Sequence, residues 1–198
     1  MSEPGTLTVI TGSMFSGKSE ELIRLVRRAL YAKKKAQVFK SAIDDRWSTA
    51  SVITHSGVQL EAAAVKNTDD LRKLVKPETQ VIGIEEVQFF DEKIVSLCEE
   101  WAQHGKSVIA AGLDQDFRGK PFGVIPLLLS LADEVIKLRA ICMKCGRDAS
   151  RTQRIINGEP ALWDDPVILI GASEKYEARC RKCHEVRIRG KRNLKKRS

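Results

Sequence analysis

The sequence predicts an α/β fold, a mostly parallel β-sheet with helices on both faces, followed after about residue 140 by a smaller and less regular module. Three observations carry this. Five short β-rich apolar runs recur along the first 140 residues, amphipathic helical patterns lie between them, and the composition then shifts to cysteine, glycine, asparagine and proline. A chain of 198 residues with 42% apolar content suits one medium domain with an appendage.

The runs are TLTVIT (6–11), AQVFKSA (36–42), QVIGIE (80–85), SVIAAGL (107–113) and EVIKLRA (134–140). Each is nearly continuously apolar rather than alternating, as expected of strands covered on both faces. In SEELIRLVRRALYAKK (19–34), Leu22, Leu25, Val26, Ala29 and Leu30 recur at helical spacing with charges opposite. DEKIVSLCEEWAQHGK (91–106) opens with acids and closes on Gly105 and Lys106, start and stop signals for a helix. Alternation of strand and helix argues for parallel crossovers. The expected division is 1–140 for the α/β part, 141–186 for the second module, and 187–198 for a basic tail expected to be disordered.

Of the net charge of +8, seven positive charges lie in the last twelve residues, RIRGKRNLKKRS, which leaves the body close to neutral. A solvated, frayed terminus accounts for such a tail, with nonspecific polyanion binding as the alternative. MSEPGTLTVI lacks the flanks of a signal peptide, and VIAAGL and IPLLLSLA are too short to span a bilayer. The expectation is a cytoplasmic protein with no membrane partner.

GSMFSGKS (12–19) fits the pattern G-x-x-x-x-G-K-[ST] through Gly12, Gly17, Lys18 and Ser19, between a predicted strand and a predicted helix. Such a loop turns its backbone N–H groups inward, here those of Ser13, Met14, Phe15 and Ser16, and the helix N-terminus adds partial positive charge. Lys18 can reach the β- and γ-phosphates, and the Ser19 hydroxyl can ligate Mg²⁺. An ordinary glycine turn does not require this context, so the chain reads as a nucleoside-triphosphate-binding protein.

Four of five cysteines form CMKC (Cys142, Cys145) and CRKC (Cys180, Cys183). Two such knuckles point to a tetrahedral structural Zn²⁺ that closes a long excursion. Redox or free thiols are the alternative, and a catalytic zinc is disfavoured because four cysteines leave no open position. His184 beside Cys183 reads as a bystander, Cys98 as a small buried hydrophobe, and His104 as a helix-end residue. IEEVQFF poses a different problem, since two adjacent carboxylates, Glu85 and Glu86, end an apolar run where burial of charge is costly.

GSMFSGKS, IDDRWS, IEEVQFF, AGLDQDFRGKPFG, CMKC, DDPVILIGASEKYEARC and CRKC follow one another between about residues 6 and 184. A phosphate loop alone would not separate many ATPases and kinases. The ordered set resembles a thymidine kinase of the zinc-containing type found in many bacteria and in animal cytosol. The resemblance implies a RecA-like P-loop core with a small zinc-bound lasso. It implies transfer of the γ-phosphoryl of ATP, with Mg²⁺, to the 5′-hydroxyl of thymidine or deoxyuridine. It also implies a homotetramer and feedback inhibition by dTTP.

By position, the resemblance makes Glu86 the general base, and Arg46 the group that steadies developing phosphate charge. Asp44 and Glu85 assist Mg²⁺, and Gln88 joins the ATP and Mg²⁺ group. Glu85 departs from the usual aspartate by one methylene; Trp47 replaces a common tyrosine and Ser13 a usual proline. Scattered phenylalanines are ordinarily core residues. The resemblance instead makes Phe117 the stacking partner of the thymine ring, with Met14, Phe89, Leu113 and Phe122 around it. Backbone groups of Val167, Ile168, Leu169, Ile170 and Gly171 would bind the base, and Tyr176 the sugar. His55 receives no catalytic role. Two other readings remain for comparison: a zinc-ribbon nucleic-acid-dependent ATPase, against which the near-neutral body counts, and a kinase of the same fold for another nucleoside.

Overall fold

The computed structural model describes residues 4–42, 51–53, 59–168 and 174–189. The chain runs β1 (Thr6–Thr11), α1 (Lys18–Tyr31), β2 (Ala36–Ser41), β3 (Ser51–Ile53), β4 (Gln59–Glu61), β5 (Ala63–Val65), α2 (Thr68–Leu74), β6 (Val81–Glu85), α3 (Lys93–Gln103), β7 (Ser107–Gly112), α4 (Ile125–Leu131) and β8 (Glu134–Lys137). A single 3₁₀ turn, Val87–Phe89, follows β6. Six strands form one sheet in the order β5-β2-β6-β7-β1-β8, and every neighbouring pair is parallel. β3 and β4 pair antiparallel apart from it.

Continuous apolar runs suit the central strands β6, β7 and β1, which are covered on both faces, whereas the edge strands β5 and β8 are largely exposed; successive side chains point to opposite faces. Leu7 and Val9, Ile82 and Ile84, and Val108 and Ala110 face α2, α3 and α4, where Leu71, Ile94, Leu97, Trp101, Ile125 and Leu128 pack against them. Ile10, Val81, Ile109 and Ala111 face the other way, against Leu22, Ile23 and Val26 of α1. Cys98 lies in the first of these clusters, and burial pushes its thiol up to about 12, as befits an inert small hydrophobe. His104 sits at the C-terminal cap of α3, where its Nδ1 lies 2.6 Å from the Glu100 carbonyl.

Two expectations need correction. The run 134–140 is not one strand: β8 ends at Lys137, and Ala140–Ile141 forms β9 in a separate antiparallel pair with β10 (Asp148–Ala149). The sheet also has a sixth strand, β5, which carries only three residues and so little periodic signal. Beyond β10, β11 (Arg151–Ile156) pairs antiparallel with both β12 (Glu159–Pro160) and β13 (Glu174–Arg179). Among the described residues, no helix is long and apolar enough to cross a membrane.

The carboxyl ends of β6, β7 and β1 are neighbours in the sheet, so the segments that follow them share one edge, where open parallel sheets hold their ligands. The close approach of α1 to this edge depends on Gly83 in β6, whose missing Cβ would lie 3.1 Å from Val38 Cγ2 and 3.3 Å from both Leu22 Cδ1 and Val26 Cγ2. Gly83→Val should push α1 off the sheet and cost about 1–3 kcal/mol, lowering Tm by roughly 2–12 °C in a thermal melt.

Candidate active site

The phosphate loop leaves β1 at Gly12 and enters α1 at Lys18. Gly17, the N-cap of α1, has φ 85°, a left-handed conformation that glycine adopts without steric cost. This turn lets the first backbone N–H groups of α1 face the loop cavity. Lys18 is 8% exposed, and its Nζ donates to the Ser13 carbonyl at 2.9 Å, spanning the loop from inside. Burial lowers the Lys18 pKa below its ordinary value, opposed by the nearby charges of Glu86 and Glu85. Phe15 is exposed at the loop tip with φ 63°.

Glu85 is the last residue of β6 and is 7% exposed. Ser19 Oγ donates to its Oε1 at 2.5 Å, while its Oε2 is buried with no hydrogen-bond partner. Burial, and then the neighbouring charge of Glu86, push the Glu85 carboxyl up to about 8, against the pull of Ser19 and Lys18. The hydroxyls of Ser13 and Ser16 are likewise buried without partners. Buried polar atoms are ordinarily satisfied. An unpaired carboxylate oxygen, two unpaired hydroxyls and a buried ammonium around one loop therefore fit a phosphate chain with its cation.

Glu86 departs from its neighbour at once. It has φ 53° and ψ 42°, a left-handed conformation uncommon for a residue with a Cβ, and caps the 3₁₀ turn. Its half-buried carboxylate accepts a hydrogen bond from Gln88 Nε2. Gln88, expected with the ATP and Mg²⁺ ligands, is 3% exposed, and its Oε1 accepts from the Leu113 N–H at 3.1 Å.

The residues expected around the base gather at the same edge. Phe89 and Phe122 meet edge to face, with ring centroids 5.6 Å apart. Phe117 is buried beneath two guanidinium groups, Arg154 at 5.1 Å and Arg118 at 5.7 Å from its centroid. Met14 N–H donates to Thr152 Oγ1 at 3.1 Å, which ties the phosphate loop to β11. Leu113 and Met14 are half-buried, Val167 is half-buried, and Ile168 is exposed. Tyr176 lies on β13 in register with Arg154. Asp44, Arg46, His55, Leu169, Ile170 and Gly171 lie outside the described residues.

The two cysteine knuckles are built alike. Gly146 N–H donates to the Cys142 carbonyl at 2.8 Å, and His184 N–H to the Cys180 carbonyl at 3.0 Å, each closing a tight turn. The Sγ atoms of Cys142, Cys145, Cys180 and Cys183 all lie within 4.8 Å of one another, and Cys145 Sγ is 3.7 Å from Cys180 Sγ. Zinc–thiolate bonds of about 2.3 Å in a tetrahedron place sulfurs roughly 3.8 Å apart, so the four fit a structural zinc and leave no position for water.

Sequence reasoning missed how this cluster and β11 meet Phe117 and the phosphate loop. His184, read as a bystander, directs its ring Nε2 to the Phe117 carbonyl at 2.8 Å. Thr152 and Arg154 were not singled out at all. Arg154 is fully buried and its Nη1 donates to the Pro166 carbonyl, just before the segment expected to close over the base. Nothing in RTQRII marks these roles, because their partners lie far away in the sequence.

Comparison with known families agrees with this geometry. A family model described as thymidine kinase matches residues 5–184. The chain belongs to the thymidine kinase family. The cysteine cluster points to the zinc-containing type within it. In this thymidine kinase family member, stripping metal with a chelator should weaken thymidine binding about tenfold, or ~1.4 kcal/mol, and change ATP binding little. Calorimetric titration of each ligand before and after chelation measures the two effects separately.

Proposed function

We propose that the protein transfers the γ-phosphoryl group of ATP to the 5′-hydroxyl of thymidine to give dTMP, with Glu86 as general base. The observation that supports this most directly is that two adjacent carboxylates take different partners, Glu85 the Ser19 hydroxyl at the phosphate loop and Glu86 the Gln88 amide, whose other end meets the Leu113 N–H.

Phosphoryl transfer is largely positioning and neutralisation of charge. Lys18 and the loop N–H groups hold the phosphates of ATP, and Arg46 steadies the charge that develops on the transferred group. When bound, Mg²⁺ would neutralise phosphate oxygens, held through Ser19 Oγ and Glu85 Oε2, with Asp44 assisting. Glu86 accepts the proton of the 5′-hydroxyl as that oxygen bonds to the γ-phosphorus. The bond from the γ-phosphorus to the bridging oxygen breaks, and ADP leaves. Phe117 stacks on the base among Met14, Phe89, Leu113 and Phe122, with the 167–171 backbone and Tyr176 closing over it.

Residues 141–186 act in this scheme as a zinc-anchored lasso, with the metal structural rather than catalytic. Deoxyuridine as a second substrate, feedback inhibition by dTTP, a homotetrameric assembly and a cytoplasmic location rest on family kinship alone. No observation favours the nucleic-acid-dependent ATPase.

Incubation with Mg²⁺, γ-labelled ATP and each deoxynucleoside should place label on thymidine, whereas ATP hydrolysis stimulated by DNA without nucleoside labelling would contradict the proposal. Glu86→Gln should leave ATP binding intact and slow turnover by about 10²–10⁴-fold, the range for loss of a general base. Near-normal turnover would remove Glu86 from that role.

A further inference from the structure

The geometry points to Gln88 as the positioning residue that aims the Glu86 carboxylate, an inference that rests on Glu86 being the general base. Gln88 lies two residues beyond Glu86 in the 3₁₀ turn Val87–Phe89 and is 3% exposed. Its amide is bound at both ends. Oε1 accepts the Leu113 N–H at 3.1 Å, and Nε2 donates to Glu86 Oε2. The first bond fixes which way the amide faces, because Leu113 offers a backbone donor and so must meet the oxygen. The nitrogen is thereby left facing the carboxylate.

The surrounding backbone leaves little freedom to this side chain. A Cβ on Gly112 would overlap Gln88 Oε1 and lie 2.9 Å from Ile125 Cδ1, and a Cβ on Gly123 would overlap the Gln88 carbonyl oxygen. Val87, beside Gln88, is fully buried in the core. Gln88 therefore links the end of β7 to a carboxylate held on a left-handed residue just after β6. A half-buried catalytic carboxylate without such a partner would sample several rotamers, and loss of aim by about 1 Å can cost on the order of 10²-fold in rate.

Gln88 touches neither transferred atom in this role. It acts through Glu86, and that distinction is measurable. The test is single-turnover phosphoryl transfer from Mg-ATP to thymidine by rapid quench, with thymidine and Mg-ATP affinities measured by calorimetry on the full chain. Gln88→Met keeps length and bulk but loses both hydrogen bonds. Gln88→Glu keeps the acceptor toward Leu113 and replaces the donor with an anion, and it provides a second route if the methionine variant does not fold. Each should slow transfer by about 10–100-fold while both affinities stay within about twofold. In a Glu86→Gln background, Gln88→Met should add less than about twofold, because there is no carboxylate left to aim.

Distinct results would overturn the proposal in distinct ways. Normal transfer in Gln88→Met or Gln88→Glu, with Glu86→Gln slow, removes the positioning role and leaves the general base standing. Full multiplicative loss when Gln88→Met is combined with Glu86→Gln places Gln88 on another step. A fall in Mg-ATP affinity parallel to the loss of rate makes it a nucleotide ligand instead. Near-normal transfer in Glu86→Gln removes the base and, with it, any residue that works through it.

Discussion

Two carboxyl groups on consecutive residues meet at the buried end of a strand, where burial and then the charge of Glu86 hold Glu85 well above the ordinary carboxylate range. The left-handed conformation at Glu86 gives the two side chains different hydrogen-bond partners, although their charges still act on each other. Glu85 completes β6 and stays in strand register, so its side chain enters the phosphate loop and meets Ser19. Glu86 turns the chain away and presents its carboxylate to Gln88. A left-handed residue with a Cβ costs about 1–3 kcal/mol, and such strain persists only where the surroundings impose it. Here the buried Val87 and the hydrogen bonds of Gln88 impose it. The extra methylene of Glu85, relative to the usual aspartate, carries its Oε1 to within 2.5 Å of the Ser19 hydroxyl and leaves Oε2 open beside the loop.

The cysteine cluster stands apart from this chemistry and yet reaches it at three places. Thr152 accepts from the phosphate-loop N–H of Met14, His184 binds the Phe117 carbonyl, and Arg154 joins the Phe117 ring to the Pro166 carbonyl. All three originate in β11 or in the second knuckle, and the apolar cluster of this module consists of alanines and cysteines. So small an apolar cluster cannot fix these elements by burial alone, and closure by a metal stabilises such a segment. Zinc in that position would order the contacts to Met14, Phe117 and Pro166 without itself taking part in them. Burial lowers the pKa of His184, which favours the neutral ring that donates to Phe117.

Legibility in the sequence followed the range of the interactions. β1, β2, β6 and β7 were visible because burial on both faces makes a strand continuously apolar, and α1 and α3 because one amphipathic face spans three or more turns. β5 has three residues, and α2 and α4 have seven each, too few for a period to emerge. β11 and β13, RTQRII and EKYEAR, are polar strands whose pairing is tertiary, so they resemble loops in composition. The phosphate loop and the knuckles were legible because their chemistry is local and fixed by spacing. The left-handed Glu86, the double engagement of Gln88 and the use of His184 on Phe117 were not, because each depends on groups brought together only by the folded sheet.

Binding of Mn²⁺ in the presence of ATP, followed by electron paramagnetic resonance, separates the two carboxylates most directly. A division of labour predicts that Glu85→Gln weakens Mn²⁺ binding by about tenfold or more while Glu86→Gln leaves it unchanged. Equal weakening by both substitutions, or by Glu86→Gln alone, would contradict it.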